Sequence, residues 1–321
     1  MRLGKLSNEQ LQRLVLDHLI GVRSEIVLRP GVGVDCAAVD LQDELCVLST
    51  DPITVASGNL GTLAVNVCCN DAAACGAEPI GLLTTLLLPP DVEEAFIEKT
   101  AREISAAAVA AGIDVLGGHT EVTDAVTRPV ISATVIARAK RYQLRSAAGM
   151  KPGDDILLTK WAGLEGTVIL AEDFAEKLKG VWDREDFLLA RGMRKYLSVT
   201  RDSAAAMRME VHAMHDATEG GVLGAVWEMA EASGCGAALK REMIPVLDVT
   251  ERACEALGLD PLRLISSGAL LIAAPEGERV RELLCASGVA VEIIGKAVET
   301  GVTLDGKPIE PPEADELLRL F

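Results

Sequence analysis

The sequence is poor in aromatic side chains, in positive charge and in long apolar runs. Phe, Trp and Tyr make up 3% of its 321 residues, while 49% are hydrophobic. Any buried core is therefore built from Ala, Val, Leu and Ile, and a disordered or fibrous chain is excluded. Lys and Arg number 31 against 48 Asp and Glu, a formal net charge of −17. A surplus of that sign argues against a nucleic-acid partner and against docking on an anionic membrane. The longest apolar stretches, such as Gly81–Leu88 and Gly268–Ala274, fall far short of the ~18 residues of a membrane span. The segment Met1–Gln10 has no apolar core of a secretory leader, so a cytoplasmic setting is expected. Eight cysteines are present without one Cys-x-x-Cys pair. Neighbouring Cys68 and Cys69 would point about 100° apart on a helix. Cys68, Cys69 and Cys75 fit no zinc spacing, and reduced, mostly buried thiols are expected.

Familiar catalytic signatures are also missing. There is no phosphate-binding P-loop, and Gly31-Val-Gly33 lacks the third glycine and following helix of a dinucleotide fingerprint. The nucleophile elbow, the zinc-protease helix motif and the protein-kinase motif set are absent.

What is present alternates strand-like and helix-like segments. Ser7, with Gln10 three residues on, caps a helix running to about Leu19. Strands are predicted at Cys36–Leu41 and Leu45–Thr50, the second ended by Asp51-Pro52. Then come a helix over Leu60–Cys75, a strand over Ile80–Leu88, a helix over Asp91–Ala111 stopped by Gly112, and strands at Asp114–Leu116 and Pro129–Arg138. The basic, Pro-Gly-containing stretch Ala139–Asp155 reads as a linker. Beyond it the pattern gives a strand at Ile156–Thr159 and helices near 164–178, 184–197, 201–211 and 220–233. Strands near 236–240, 269–274 and 289–297, a hairpin and a terminal helix at 313–320 complete it. The class is α/β (α+β). At about 150 residues per domain two domains are expected, 1–145 and 146–321.

The helix over 60–75 is the most informative segment. It is apolar nearly all round, which predicts burial, yet it carries Thr62, Asn66 and Asn70 in one i, i+4 stripe with Asp71 beside it. A buried carboxylate is costly unless paired or metal-bound, and no Lys or Arg occurs between Arg29 and Lys99. Asp35, Asp51 and Asp216 stand in comparable settings at the ends of apolar elements. Alone, each reads equally as a turn or cap residue. Together they suggest a hard cation held through oxygen, and Mg²⁺ with a nucleoside triphosphate is the natural pair. Two segments promise backbone N–H donors for phosphate: the helix start at Gly220-Gly221, and a flexible loop Gly117-Gly118-His119-Thr120-Glu121.

The ordered set Gly33–Val39, Ser49–Asp51, Asn66 to Pro79, Gly117–Glu121, Lys151–Asp155, His215–Gly221 and Ser266–Leu271 resembles the aminoimidazole-ribonucleotide-synthetase-like (PurM-like) superfamily. That superfamily includes thiamine-monophosphate kinase, selenophosphate synthetase and the hydrogenase-maturation carbamoyl dehydratase, the branch this sequence approaches most nearly at 117–121 and 215–221. The resemblance implies an N-terminal domain for ATP binding and dimerisation, a C-terminal α/β domain, a C2 homodimer, and Mg·ATP in a cleft between domains. It implies Asp35, Asp51, Asp71 and Asp216 as metal ligands, and Asn66, Asn70, Gly117 to Glu121, Gly220 and Gly221 around the nucleotide. The implied chemistry is phosphorylation or ATP activation of a small-molecule carbonyl, amide or phosphate acceptor; no catalytic residue is assigned. The maturation branch carries its substrate group on a terminal Cys, whereas this sequence closes on Glu316–Phe321 with Cys285 its last cysteine. A non-catalytic, nucleotide-binding maturation factor is the alternative.

Overall fold

A computed structural model of the chain describes residues 8, 9, 12, 26–28, 31, 34, 36–54, 58–312 and 314–320. The helix expected after Ser7 and the candidate ligand Asp35 lie outside the described residues, apart from helical positions 8, 9 and 12. Two mixed sheets with flanking helices form the molecule. The first comprises β1 (Ile26–Leu28), β2 (Ala37–Asp40), β3 (Leu45–Ile53), β4 (Glu78–Leu88), β5 (Asp114–Val122) and β6 (Val130–Ala139) in the order β1-β2-β3-β6-β4-β5. Only β4 and β5 run parallel. A parallel pair needs a crossover, and the helix Glu94–Ala111 supplies it. Gly112 ends that helix at φ 72°, as its position predicts.

The second sheet comprises β7 (Asp155–Thr159), β8 (Ala213–Ala217), β9 (Gly236–Leu239), β10 (Ala269–Ala274), β11 (Val291–Val298), β12 (Val302–Leu304) and β13 (Lys307–Pro308), in the order β13-β12-β9-β11-β7-β10-β8. Every residue of β8 and β10 is buried. Helices Leu164–Asp173, Arg184–Gly192, Thr200–Ala206, Gly221–Ser233, Asp248–Leu257 and Gly277–Ala286 complete this half. The terminal element Glu316–Leu320 is a 3₁₀ turn.

The helix Leu60–Ala74 joins the halves. Leu60, Ala64, Val65, Cys68 and Ala72 pack into the core of the first sheet. Leu63 packs with Leu164, Val168 and Leu197 of the second half, and Ala73 and Ala74 with Leu157, Val199 and Ile272. Covered from both sides, the helix has no use for a polar face, which explains its nearly uniform apolarity.

Five segments depart from the sequence expectation. Asp51 and Pro52 do not end their strand; β3 continues to Ile53, paired with β6 alone, because β2 reaches only Leu48. A proline is tolerated on such an open flank, where no partner needs its N–H. Gly117–Glu121 is not a loop but the continuation of β5. The strand β8 and the helices Asp248–Leu257 and Gly277–Ala286 were not expected at all.

Candidate functional site

A cleft of about 400 Å³ opens between the two sheets. One wall is β3 and the buried helix: Ser49, Thr50, Asp51, Val67 and Asp71. Ser49 Oγ donates to Asp71 Oδ2 at 2.5 Å, and Thr50 Oγ1 to the Ala133 carbonyl at 2.9 Å. The β3 extension past Leu48 brings Asp51 to the cleft. The opposite wall comes from the end of β8 and the turn after it, with His215, Asp216, Thr218 and Glu219, and from Glu165, Glu228 and Ser267. His215 Nε2 stands 3.2 Å from Glu228 Oε2. Among the described residues, His215 is the sole basic side chain lining the cleft.

Burial, with smaller contributions from the unbalanced negative charge, alters nearby groups. Burial, reinforced by the charges of Asp51 and Asp71, raises the Cys68 thiol far above its ordinary value. Burial pushes the Glu165 carboxyl up to about 7; a hydrogen bond from Ser267 opposes the shift, and Asp315 and Glu219 add to it. Burial likewise raises Asp315 to about 6, against bonds from the Leu317 and Gly220 N–H groups.

Hydrogen bonds hold the two walls together. Asn70 Nδ2 donates to the Leu197 carbonyl at 2.8 Å, while its Oδ1 accepts from Val199 N at 2.8 Å. Nearby, the buried pair Lys160–Asp202 closes at 2.7 Å, and Lys160 Nζ donates to the Ser198 carbonyl at 2.8 Å. A second brace joins Asn59 to Glu172, 3.0 Å to each carboxylate oxygen, and to Arg194 at 2.9 Å.

Residues 33–139 match the family description "AIR synthase related protein, N-terminal domain", and residues 151–307 match its C-terminal domain. The carbamoyl dehydratase HypE of Escherichia coli is 30% identical over 283 residues, 84% of this chain and 81% of the relative. A putative hydrogenase expression/formation protein of Methanocaldococcus jannaschii is 29% identical over 314 residues, 92% and 89% of the two chains. A solved hydrogenase maturation protein HypE in complex with ATP has the same fold, with a TM-score of 0.72 over 96% of each chain at 24% identity. The chain belongs to the AIR synthase related family.

Within this AIR synthase related chain, the candidate residues divide sharply. Asp51, Asp71 and Asp216 line one cleft. Asp35 lies outside the described residues, although Val34 beside it lines the cleft as well. Among the described residues, no three His, Cys, Asp or Glu side chains form a ready-made metal group. The candidate nucleotide residues do not line this cleft. Asn66 bonds back to the Thr62 carbonyl at 3.0 Å, and both ends of the Asn70 amide serve the brace. Gly117, Gly118, His119, Thr120 and Glu121 lie on the exposed edge strand β5. The helix start at Gly220-Gly221 offers no open anion cradle, because Asp315 Oδ2 already accepts from Gly220 N at 2.8 Å and the Thr218 carbonyl from Gly221 N at 3.1 Å.

Glu165, Glu228 and Asp315 lie outside the segments that carry the family resemblance, and Ser267 falls within Ser266–Leu271 with no role assigned to it. The signal for Glu165 was available: it is a lone acid in the apolar run Leu164–Ala171, the same kind of anomaly that marked Asp71. The eight cysteines are free thiols; Cys36, Cys68, Cys69, Cys75 and Cys254 are buried and Cys285 is exposed. No described helix is long and apolar enough to cross a membrane.

Proposed function

We propose that the cleft binds ATP with Mg²⁺ and that the protein uses it to phosphorylate or otherwise activate a small-molecule acceptor. The observation that carries this reading is the convergence of Asp51, Asp71 and Asp216 on one cleft with His215 as its only described basic lining group. The donor set consists of carboxylate and hydroxyl oxygens, which suits Mg²⁺. That ion keeps several waters and binds through one or two carboxylates plus phosphate oxygens, so it needs no preformed cage of three protein ligands. When bound, the cation neutralises phosphate charge. The protein's part is to hold the carboxylates in place, and the bond from Ser49 to Asp71 fixes one of them. One relative is named a carbamoyl dehydratase and another a putative hydrogenase expression/formation protein, and a solved hydrogenase maturation protein of this fold is in complex with ATP; these facts support the reading.

The same proposal includes a homodimer formed through β5. All nine residues of that edge strand are exposed, including Val115, Leu116 and Val122, with Ile80 and Leu83 exposed on neighbouring β4. An apolar open edge is a pairing surface, and a second copy is its occupant. The candidate residues Gly117 to Glu121 would then lie at the subunit boundary.

Asp71→Asn tests the nucleotide reading. It keeps the shape, removes one of several like charges, and leaves an oxygen to accept from Ser49. Apo stability is expected to be unchanged or slightly higher. A ligand at 100 times its Kd stabilises by about 2.7 kcal/mol, a melting shift of roughly 5–10 °C. Wild type should show that shift with Mg·ATP and the variant almost none. An intact shift in the variant, together with a large loss of apo stability, would make Asp71 a structural residue.

A further inference from the structure

Glu165 has no role in the cation-binding part of the proposed site, and its surroundings are unusual. It stands in the first turn of the helix Leu164–Asp173, between the cleft and a small gap behind it lined by Leu63, Val168 and Arg194. Its side chain lines the cleft although the residue is only 5% exposed. Ser267 hydrogen-bonds to the carboxyl group. The remaining oxygen, Oε2, is buried and has no hydrogen-bond partner. The charged groups acting on it, Asp315 and Glu219, are both acidic. Arg194, which lines the gap, gives its two terminal nitrogens to Glu172 and Asn59; its Nε is buried without a partner of its own but makes no bond to Glu165. A buried carboxyl oxygen without a partner is expensive to maintain, and neighbours of like charge raise that expense. An incoming group that donates N–H and carries positive charge would relieve both.

The rest of the cleft favours the same ligand chemistry. Asp51, Asp71, Asp216, Glu219 and Glu228 line it with Glu165, against His215 as the only described basic group. Mg·ATP, on the proposed reading, occupies the aspartates. A free phosphate monoester or carboxylate would face the remaining acids with only His215, itself 3.2 Å from Glu228, to receive it. A cationic nitrogen meets the reverse situation.

We propose that Glu165 is the recognition residue for the acceptor, and that the acceptor presents a cationic nitrogen group, an amidinium, guanidinium or ammonium, to its free oxygen. The assignment rests on the reading of the cleft as a nucleotide and acceptor site, and it narrows the acceptor to one charge class. A planar amidinium suits a carboxylate geometrically, since two parallel N–H groups can meet it side by side.

Acetamidinium, acetamide, acetate and methyl phosphate provide the test. The first three are nearly isosteric and differ in charge. Binding of each to the full chain is measured by ligand-observed saturation-transfer NMR, with and without Mg·ATP. Acetamidinium should bind at least tenfold more tightly than acetamide, and acetate and methyl phosphate should not bind measurably. Glu165→Gln keeps the shape and a carbonyl acceptor but removes the charge, so it should abolish the preference for acetamidinium; Glu165→Ala should abolish binding of both. Absence of acetamidinium binding to wild type, equal or tighter binding of any other probe, or an unchanged preference in Glu165→Gln would each overturn the proposal. So would displacement of acetamidinium by Mg²⁺ alone at equal concentration, because the oxygen would then be a metal ligand. The wild-type melting shift with Mg·ATP reports separately on the nucleotide reading, so the two failures are distinguishable.

Discussion

Two glycine-rich segments look alike in sequence and live in opposite surroundings. Gly117–Glu121 forms an open edge strand with every residue exposed. His215–Gly221 runs from the fully buried strand β8 through a turn into the helix Gly221–Ser233. Both combine glycine with His, Thr and Glu, and both promise flexible loops with free N–H groups. In the first, the donors belong to a sheet edge; in the second, Asp315 and Thr218 have already taken them. Composition shows that a backbone must approach something closely. It does not show what.

The strongest way to break this comparison is to add one methyl group to each segment. Gly221 has φ +63°, and a Cβ there would lie 2.5 Å from the Leu262 carbonyl oxygen and 2.8 Å from the Arg263 backbone. Nothing buried at that turn can yield. Gly221→Ala is expected to destabilise by about 3 kcal/mol or more, a fall of roughly 6–12 °C in Tm. Gly118, at φ +152°, would place its Cβ 1.8 Å from the Thr84 carbonyl oxygen, so Gly118→Ala should also break a contact. Because that contact is at an exposed edge, the damage should be local: faster amide exchange over 114–122 with a much smaller change in Tm. Equal melting losses would show that β5 is as integral to the fold as β8.

A smaller effect comes from pH. The Glu165 carboxyl rises from 4.5 to about 7 on folding. The folded state therefore binds this proton more tightly than the unfolded state does. The contribution is complete below about pH 4.5 and is lost as pH climbs to 7. Asp315, raised to about 6, acts in the same direction. Stability should fall across that window, and Glu165→Gln should flatten the fall and melt above wild type at pH 8. The margin should be a few kcal/mol at most. Thermal melts of both proteins from pH 4.5 to 8 check it; a wild type that loses no stability across the window would refute it.

Much of the fold was legible because strand and helix periods follow from burial. The apolar runs of β4, β6 and β10 and the glycine stop at Gly112 are examples. Legibility ended where function or exposure removes the pattern. β8 reads Ala213-Met-His-Asp-Ala217, with two polar residues in a wholly buried strand, so it carries no apolar alternation. β5 is exposed throughout, and nothing selects alternation there either. At the site, Asp51, Asp71 and Asp216 stood out as acids at the ends of apolar elements without a neighbouring Lys or Arg. Asn70 stood out as well: a buried amide signals a need for partners, and the fold supplies the Leu197 and Val199 backbone. Asp315 follows Pro311-Pro312 in the terminal segment, and only the three-dimensional fold reveals that this segment returns to Gly220.

The smallest expected effect on folding is the largest on assembly. Val115 and Val122 are 44% and 55% exposed. Placing lysine at both puts charge on the open edge, a common natural safeguard against edge pairing. Val115→Lys with Val122→Lys should leave far-UV circular dichroism unchanged while reducing the light-scattering mass from two chains to one of 33.9 kDa. A wild type that already scatters as a single chain would refute the dimer.

The helix Leu60–Ala74 also determines how the protein comes apart. With one flank in the core of the first sheet and the other against Leu157, Val199 and Leu164, it cannot leave either half without exposing apolar surface on both. Cutting the chain in the connecting stretch 140–154 would leave each half with apolar surface that the other half now covers. The first half alone would present Leu63, Ala73 and Ala74 to water, with the amide of Asn70 stripped of its partners. Loss of structure in one half would therefore strip apolar contacts from the other, because the same helix serves both cores.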